Sequence, residues 1–179
     1  MDERMRSVSI RVFIVERYFT TRGKRSVSQV KTDRNKVVME LLNGTLDSIR
    51  NVVPIEFQLQ RPKRVTNNFH LNFGVLIGIT GDIQGKLVFT GQPVTFNSIG
   101  EKMFGMPLND EMLLSFSGEL GNMIAGGLST TISQNGTNIN ITSPTIMQGN
   151  TSLTGFEQAL EVTLGFADTG EVNTYLLID

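Results

Sequence analysis

The sequence has 179 residues, 39% hydrophobic and 18% charged, enough for one ordinary domain with a sizeable core and too few for a second full one. It contains no cysteine and no tryptophan, which excludes a disulfide framework, a thiolate zinc site and a cysteine nucleophile and fits a reducing cytoplasm. The net charge of −1 conceals an asymmetry: residues 1–34 carry nine Lys/Arg against four Asp/Glu, or +5, so the remaining residues carry −6, and a mildly acidic body lacks the clustered cations that nucleic-acid binding needs.

The first 34 residues hold one short apolar run, Val12 to Val15, between Arg11 and Glu16. They lack the long apolar core and small-residue cleavage site of a signal peptide. They are expected to be a basic, weakly ordered extension, with a partner-binding arm as the other reading. A start codon assigned upstream of the true one would give the same pattern. No apolar run approaches the ~20 residues needed to cross a bilayer, Val75 to Ile79 being among the longest.

From Asn35 the chain is regular, and residues 35–179 are expected to form one domain. Val37, Val38, Leu41, Leu42, Leu46 and Ile49 recur at helical spacing up to Pro54, which predicts a helix over about 36–50. Residues 55–65 alternate as a half-buried strand does, with Arg61 to Arg64 as a turn. Residues 71–79 and 84–90 flank Thr80-Gly81-Asp82, a β-hairpin signal. Gly91 to Pro93 breaks the strand, Phe96 to Met103 reads as a short helix, and Asn109 or Asp110 is placed to cap a long helix over about 110–133. Asn135-Gly136 ends that helix. Residues 137–142 alternate as a strand until Ser143-Pro144-Thr145, and residues 158–166 and 171–178 flank Asp168-Thr169-Gly170 as a second hairpin. No long-period repeat is visible. The expected fold is an α+β two-layer arrangement, an antiparallel sheet with two long helices on one face.

Chemistry concentrates in the second long helix. Ser115, Glu119 and Asn122 are spaced four and three apart, which places them on one helical face, opposite the apolar positions Leu113, Phe116, Leu120, Ile124 and Leu128 that a helix buries. The usual catalytic sets are missing: there is no phosphate-binding glycine loop, no GxSxG elbow and no HExxH, and the single histidine, His70, rules out a two-histidine metal site. Gly126-Gly127 follows no strand and reads as a place for close helix packing. The first long helix carries Glu40-x-x-Asn43, the same pair as Glu119-x-x-Asn122, with Lys36 where the second has Ser115 and no proline at the matching distance. Four Asn-x-Ser/Thr sequons carry no weight without a secretion signal.

Ser115-x3-Glu119-x2-Asn122 followed after 21 residues by Pro144 resembles the signature of the CheC/CheX/FliY phosphatases of bacterial chemotaxis. The surrounding GELGNMIAGG, ISQNG and ITSPT look most like CheX. The resemblance covers roughly residues 35–179, with one residue fewer before Pro144 than in the family pattern. It implies a cytoplasmic phosphatase that hydrolyses the phosphoaspartate of a CheY-like response regulator. Asn122 would place the attacking water, Glu119 would pair with the receiver's lysine, and Ser115 and Pro144 would contact the partner. It also implies no metal or cofactor on this chain, with Mg²⁺ on the receiver, and a homodimer. A catalytically silent module that docks a receiver or another chemotaxis protein is the competing reading.

Overall fold

The computed structural model describes residues 28–178, the side chains of 28–35, 157 and 158 apart. Most of the stretch read as a basic extension lies outside the described residues. The first helix, however, begins at Ser28, so its opening turns precede the expected boundary at residue 35.

The elements run α1 (Ser28–Val52), β1 (Phe57–Leu59), β2 (Lys63–Gly81), β3 (Gly85–Gly91), α2 (Pro93–Phe104), α3 (Asp110–Gln134), β4 (Ile139–Ile141), β5 (Thr145–Phe166) and β6 (Gly170–Ile178). The strands form one antiparallel sheet in the order β1-β5-β6-β3-β2-β4, and β2 and β5 also pair with each other. The alternation expected of a sheet with two unlike faces is plain on β3: Leu87 and Phe89 join the larger core under the helices, while Val88 faces a smaller one on the other side.

That smaller core explains the additional pairing. Within the same sheet, the first part of β2 and of β5 also pair with each other as a two-stranded ribbon, from Lys63 opposite Glu161 to Leu76 opposite Thr145. Phe69 and Leu71 on the ribbon close over Tyr175 and Leu177 of β6, with the Phe69 and Tyr175 rings stacked at 3.9 Å between centroids. The ribbon bends at register shifts in β5, where Gly149 and Gly155 take positive φ of 76° and 81°. Glycine adopts that conformation without steric cost, as a β-bulge requires.

Two sequence expectations are corrected here. Lys63 and Arg64, read as part of a turn, lie inside β2, which runs unbroken for 19 residues. Residues 145–157, not read as a strand at all, are the first part of the 22-residue β5.

The chain also repeats itself in space. The element starts at 28, 57 and 63 recur at 110, 139 and 145, a constant spacing of 82 residues. Exchanging β1 with β4, β2 with β5 and β3 with β6 reverses the sheet order onto itself, so the domain has approximate two-fold symmetry. The helices obey it: Gly44 of α1 faces Leu128 and Thr131 of α3, and Gly127 of α3 faces Ser48 of α1. These pairs run in opposite directions along the two helices, so α1 and α3 pack antiparallel. Contact equates Gly44 with Gly127 and Ser48 with Thr131, 83 residues apart. Ser48 also donates through Oγ to the Ile124 carbonyl at 2.8 Å, a buried polar group satisfied across the helix interface.

Candidate active site

The helix α3 is fixed at its start by Asn109, whose side chain accepts a hydrogen bond from the Met112 amide at 2.8 Å. This satisfies one of the amide donors that a helix leaves unpaired at its N-terminus. Asp110 and Glu111 follow in the first turn, where the helix dipole favours negative charge. Leu113, Phe116, Leu120, Ile124 and Leu128 are all buried, as their spacing requires. Each buried aliphatic or aromatic side chain contributes about 1.5–3 kcal/mol, so the rotation of α3 about its axis is strongly fixed.

With that rotation set, the polar face is set too. Ser115 and Glu119 are exposed, and Asn122 is half-buried beside them. Along the axis Ser115 and Asn122 are about 10 Å apart at 1.5 Å per residue. Among the described residues neither the Glu119 carboxylate nor the Asn122 amide has a hydrogen-bond or ion-pair partner. The exposed Glu119 carboxylate keeps its acceptors, and the half-buried Asn122 amide its donor and acceptor, unused within the described fold.

Pro144 joins them through Gly118. A Cβ at residue 118 would stand 4.0 Å from the Pro144 Cβ and 3.5 Å from the Ile146 Cδ1, so the β4–β5 connection lies against α3 on the turn between Ser115 and Asn122. The four residues read from the sequence as one site are therefore brought to one side of the molecule, with Pro144 at the flank of the helix stripe.

Sequence reasoning missed the other wall. An open groove of about 390 Å³ runs between the end of α2 and the first turns of α3. Apolar Phe104, Leu108, Met112 and Phe116 line it together with Glu111, Ser115 and Glu119. The Phe104 ring stands edge-on to Phe116, with centroids 5.6 Å apart. Helical periodicity assigned Phe116 to a core and had no means of showing that Phe104 would lie across it.

The Glu40-Asn43 pair of α1 does not occupy the symmetric position. By the contact equivalence of the two helices, Glu119 and Asn122 correspond to Lys36 and Met39, and Glu40-Asn43 sits one helical turn further along. Glu40 is half-buried and pairs with Lys36 at 3.9 Å. Met39 is packed against the main core. Pro62, symmetric with Pro144 at the spacing of 82, is buried. Among the described residues no group of three or more His, Cys, Asp or Glu is placed to hold a metal ion, and no helix is long and apolar enough to cross a membrane.

The family model for the chemotaxis phosphatase CheX matches residues 73–161, a span that contains the whole polar face of α3 and Pro144. The CheY-P phosphatase CheX of Thermotoga maritima is 35% identical over 118 residues, covering 64% of this chain and 76% of that protein. The chain belongs to the CheX family. Its fold is also that of solved CheX structures. A chemotaxis protein CheX from Desulfovibrio desulfuricans superposes with a TM-score of 0.68 at 16% identity, over 80% of this chain and 99% of that one. A chain of the CheX-CheY-BeF3-Mg²⁺ complex from Borrelia burgdorferi gives 0.67 at 22% identity, over 79% of this chain and 96% of that one.

Proposed function

We propose that this chain is a protein-aspartyl-phosphate phosphatase that dephosphorylates a CheY-like response regulator in bacterial chemotaxis. The observations that carry the reading are its 35% identity to a CheY-P phosphatase over 118 residues and the CheX family match over residues 73–161, a span that contains Glu119 and Asn122. The crystal complex of a CheX with a CheY supports the choice of partner.

The chemistry asked of the chain is small. The receiver supplies the phosphoaspartate, the Mg²⁺ bound beside it and its own cations, so this chain needs no metal or cofactor. The missing element is a water held in line with the phosphorus, and phosphoryl transfer is governed chiefly by placement and electrostatics. An amide suits the task because its carbonyl oxygen accepts from the water while its NH₂ donates to a phosphoryl oxygen, with no titration required. Among the described residues both groups of the half-buried Asn122 are without a partner. The water oxygen bonds to phosphorus as the bond from phosphorus to the aspartate oxygen breaks, leaving a free carboxylate and inorganic phosphate, and the water's proton passes to phosphate or solvent.

Glu119, about one turn earlier, is assigned to the receiver's active-site lysine, a charge-assisted contact that would seat α3 over the phosphoryl group. Ser115 lines the same contact, and Pro144 shapes its edge. The displaced Glu40-Asn43 pair is assigned a structural role, leaving one site per chain. The same reading places the protein in the bacterial cytoplasm as a homodimer, with no nucleic-acid or membrane partner.

The test uses a ³²P-labelled CheY-like receiver from the same organism. Loss of label faster than the receiver's own decay supports the assignment. Binding of several cognate receivers without acceleration would leave a silent docking module as the better description.

A further inference from the structure

The polar stripe of α3 accounts for the chemistry of the proposed reaction and leaves the neighbouring groove unused. Phe104, which lines the groove, is 60% exposed, and Met106, 50% exposed, follows it outside the groove's lining; Gly105 between them caps α2 in a left-handed turn with φ 74°. Isolated exposed apolar residues are ordinary, whereas apolar groups gathered at a groove mark contact sites. Here Phe104 is held edge-on by Phe116 with most of its surface in water, over a groove whose wall includes Ser115 and Glu119.

Resting on the phosphatase reading, we infer that the groove is the affinity determinant for the receiver domain, which seats an apolar side chain there beside its phosphoaspartate. Groove and stripe share Ser115 and Glu119, so a body lying over the stripe also covers the groove. A second copy of this chain seated in the groove would shut the stripe off. A stable protein interface buries about 800 Å² on each partner, far more than Glu119 and Asn122 present, and the groove is the adjoining apolar surface. Glu111 and Glu119 bound it about 12 Å apart along α3, so the receiver's apolar side chain has positive charge near it. The stripe would then set turnover, and the groove would set affinity.

The experiment measures kcat and KM for hydrolysis of the phosphorylated receiver, and Kd for the same receiver loaded with beryllofluoride. The chains compared are wild type, the Phe104→Ser/Met106→Ser double variant, Met106→Ser alone, Glu111→Lys and Val94→Ser. Val94, 68% exposed at the far end of α2, is the control. The double variant is expected to raise KM and Kd about tenfold with kcat unchanged, as loss of apolar anchors at an interface does. Met106→Ser and Glu111→Lys, which remove no described core contact, are expected to raise both by about threefold, and Val94→Ser to change neither. Wild-type KM and Kd in all of these variants, or a fall in kcat alone, would overturn the groove assignment while leaving the phosphatase reading intact. A wild type that hydrolyses nothing, with Kd still weakened by the groove variants, would overturn the phosphatase reading and keep the groove as the receiver's docking site.

Discussion

Gly127 of α3 lies directly against Ser48 of α1, so closely that a side chain at residue 127 would collide with the Ser48 Oγ, the same hydroxyl that donates to the Ile124 carbonyl. This contact sets the approach of the two long helices. It also gives the adjacent glycines opposite characters, because a Cβ at Gly126 meets nothing within 4 Å. Gly127→Ala is expected to cost about 1–3 kcal/mol through overpacking. Gly126→Ala is expected to stabilise by up to about 1 kcal/mol through helix propensity. Urea unfolding of the two variants checks this, and equal effects of the same sign would show that the helices are not spaced by this contact.

The two-fold relation between the halves gives a second expectation. The helix contacts equate Lys36 and Met39, rather than Glu40 and Asn43, with Glu119 and Asn122. Glu40→Ala/Asn43→Ala should therefore leave receiver dephosphorylation within about twofold of wild type, since surface changes away from a site are usually small. Loss of half the activity or more in steady-state assays would mean that α1 carries a working site.

The halves show how far sequence pattern reaches. The long helices were legible because Leu41, Leu42, Leu46 and Ile49 in one, and Leu113, Leu120, Ile124 and Leu128 in the other, all face a core, and that spacing allows one rotation. The polar face with Ser115, Glu119 and Asn122 was legible from the same spacing, and its choice as the site came from the resemblance to the CheC/CheX/FliY phosphatases. The symmetry was not legible, because its equivalent positions pair unlike residues: Met39 with Asn122, and Asn43 with Gly126. What equates them is burial and contact.

The ribbon was hidden for a different reason. The first part of β5 is rich in Asn, Gly, Ser and Thr, residues that ordinarily mark turns. Here they serve a strand that bends at Gly149 and Gly155 and has one polar face. The groove beside the site was hidden because it depends on Phe104 meeting Phe116 across two helices, a contact that no periodicity records.

Tyr175 supplies a pH dependence. Burial, and then the negative charge and hydrogen bond of Glu161, push its phenol up from 10.0 to about 12. A raised folded pKa means that the folded chain holds this proton more tightly than the unfolded chain. The associated stability is present in full below pH ~10 and is lost as the pH rises towards 12. Tyr18→Phe leaves Tyr175 as the sole tyrosine, so its ultraviolet titration can be followed directly. The expected midpoint is well above that of free tyrosine, and an ordinary midpoint would show that the second core is open to water.

The central claim rests on Asn122, whose amide is outward and without a partner among the described residues, so its removal should not disturb the fold. The decay of a phosphorylated CheY-like receiver should be followed alone, with this protein and with Asn122→Ala, checking by circular dichroism that the variant is folded. Acceleration by the wild type, reduced at least about 100-fold in the variant as expected when a reactant loses its positioning, would establish Asn122 as the group that places the water. A folded Asn122→Ala that accelerates decay as fast as the wild type would contradict it.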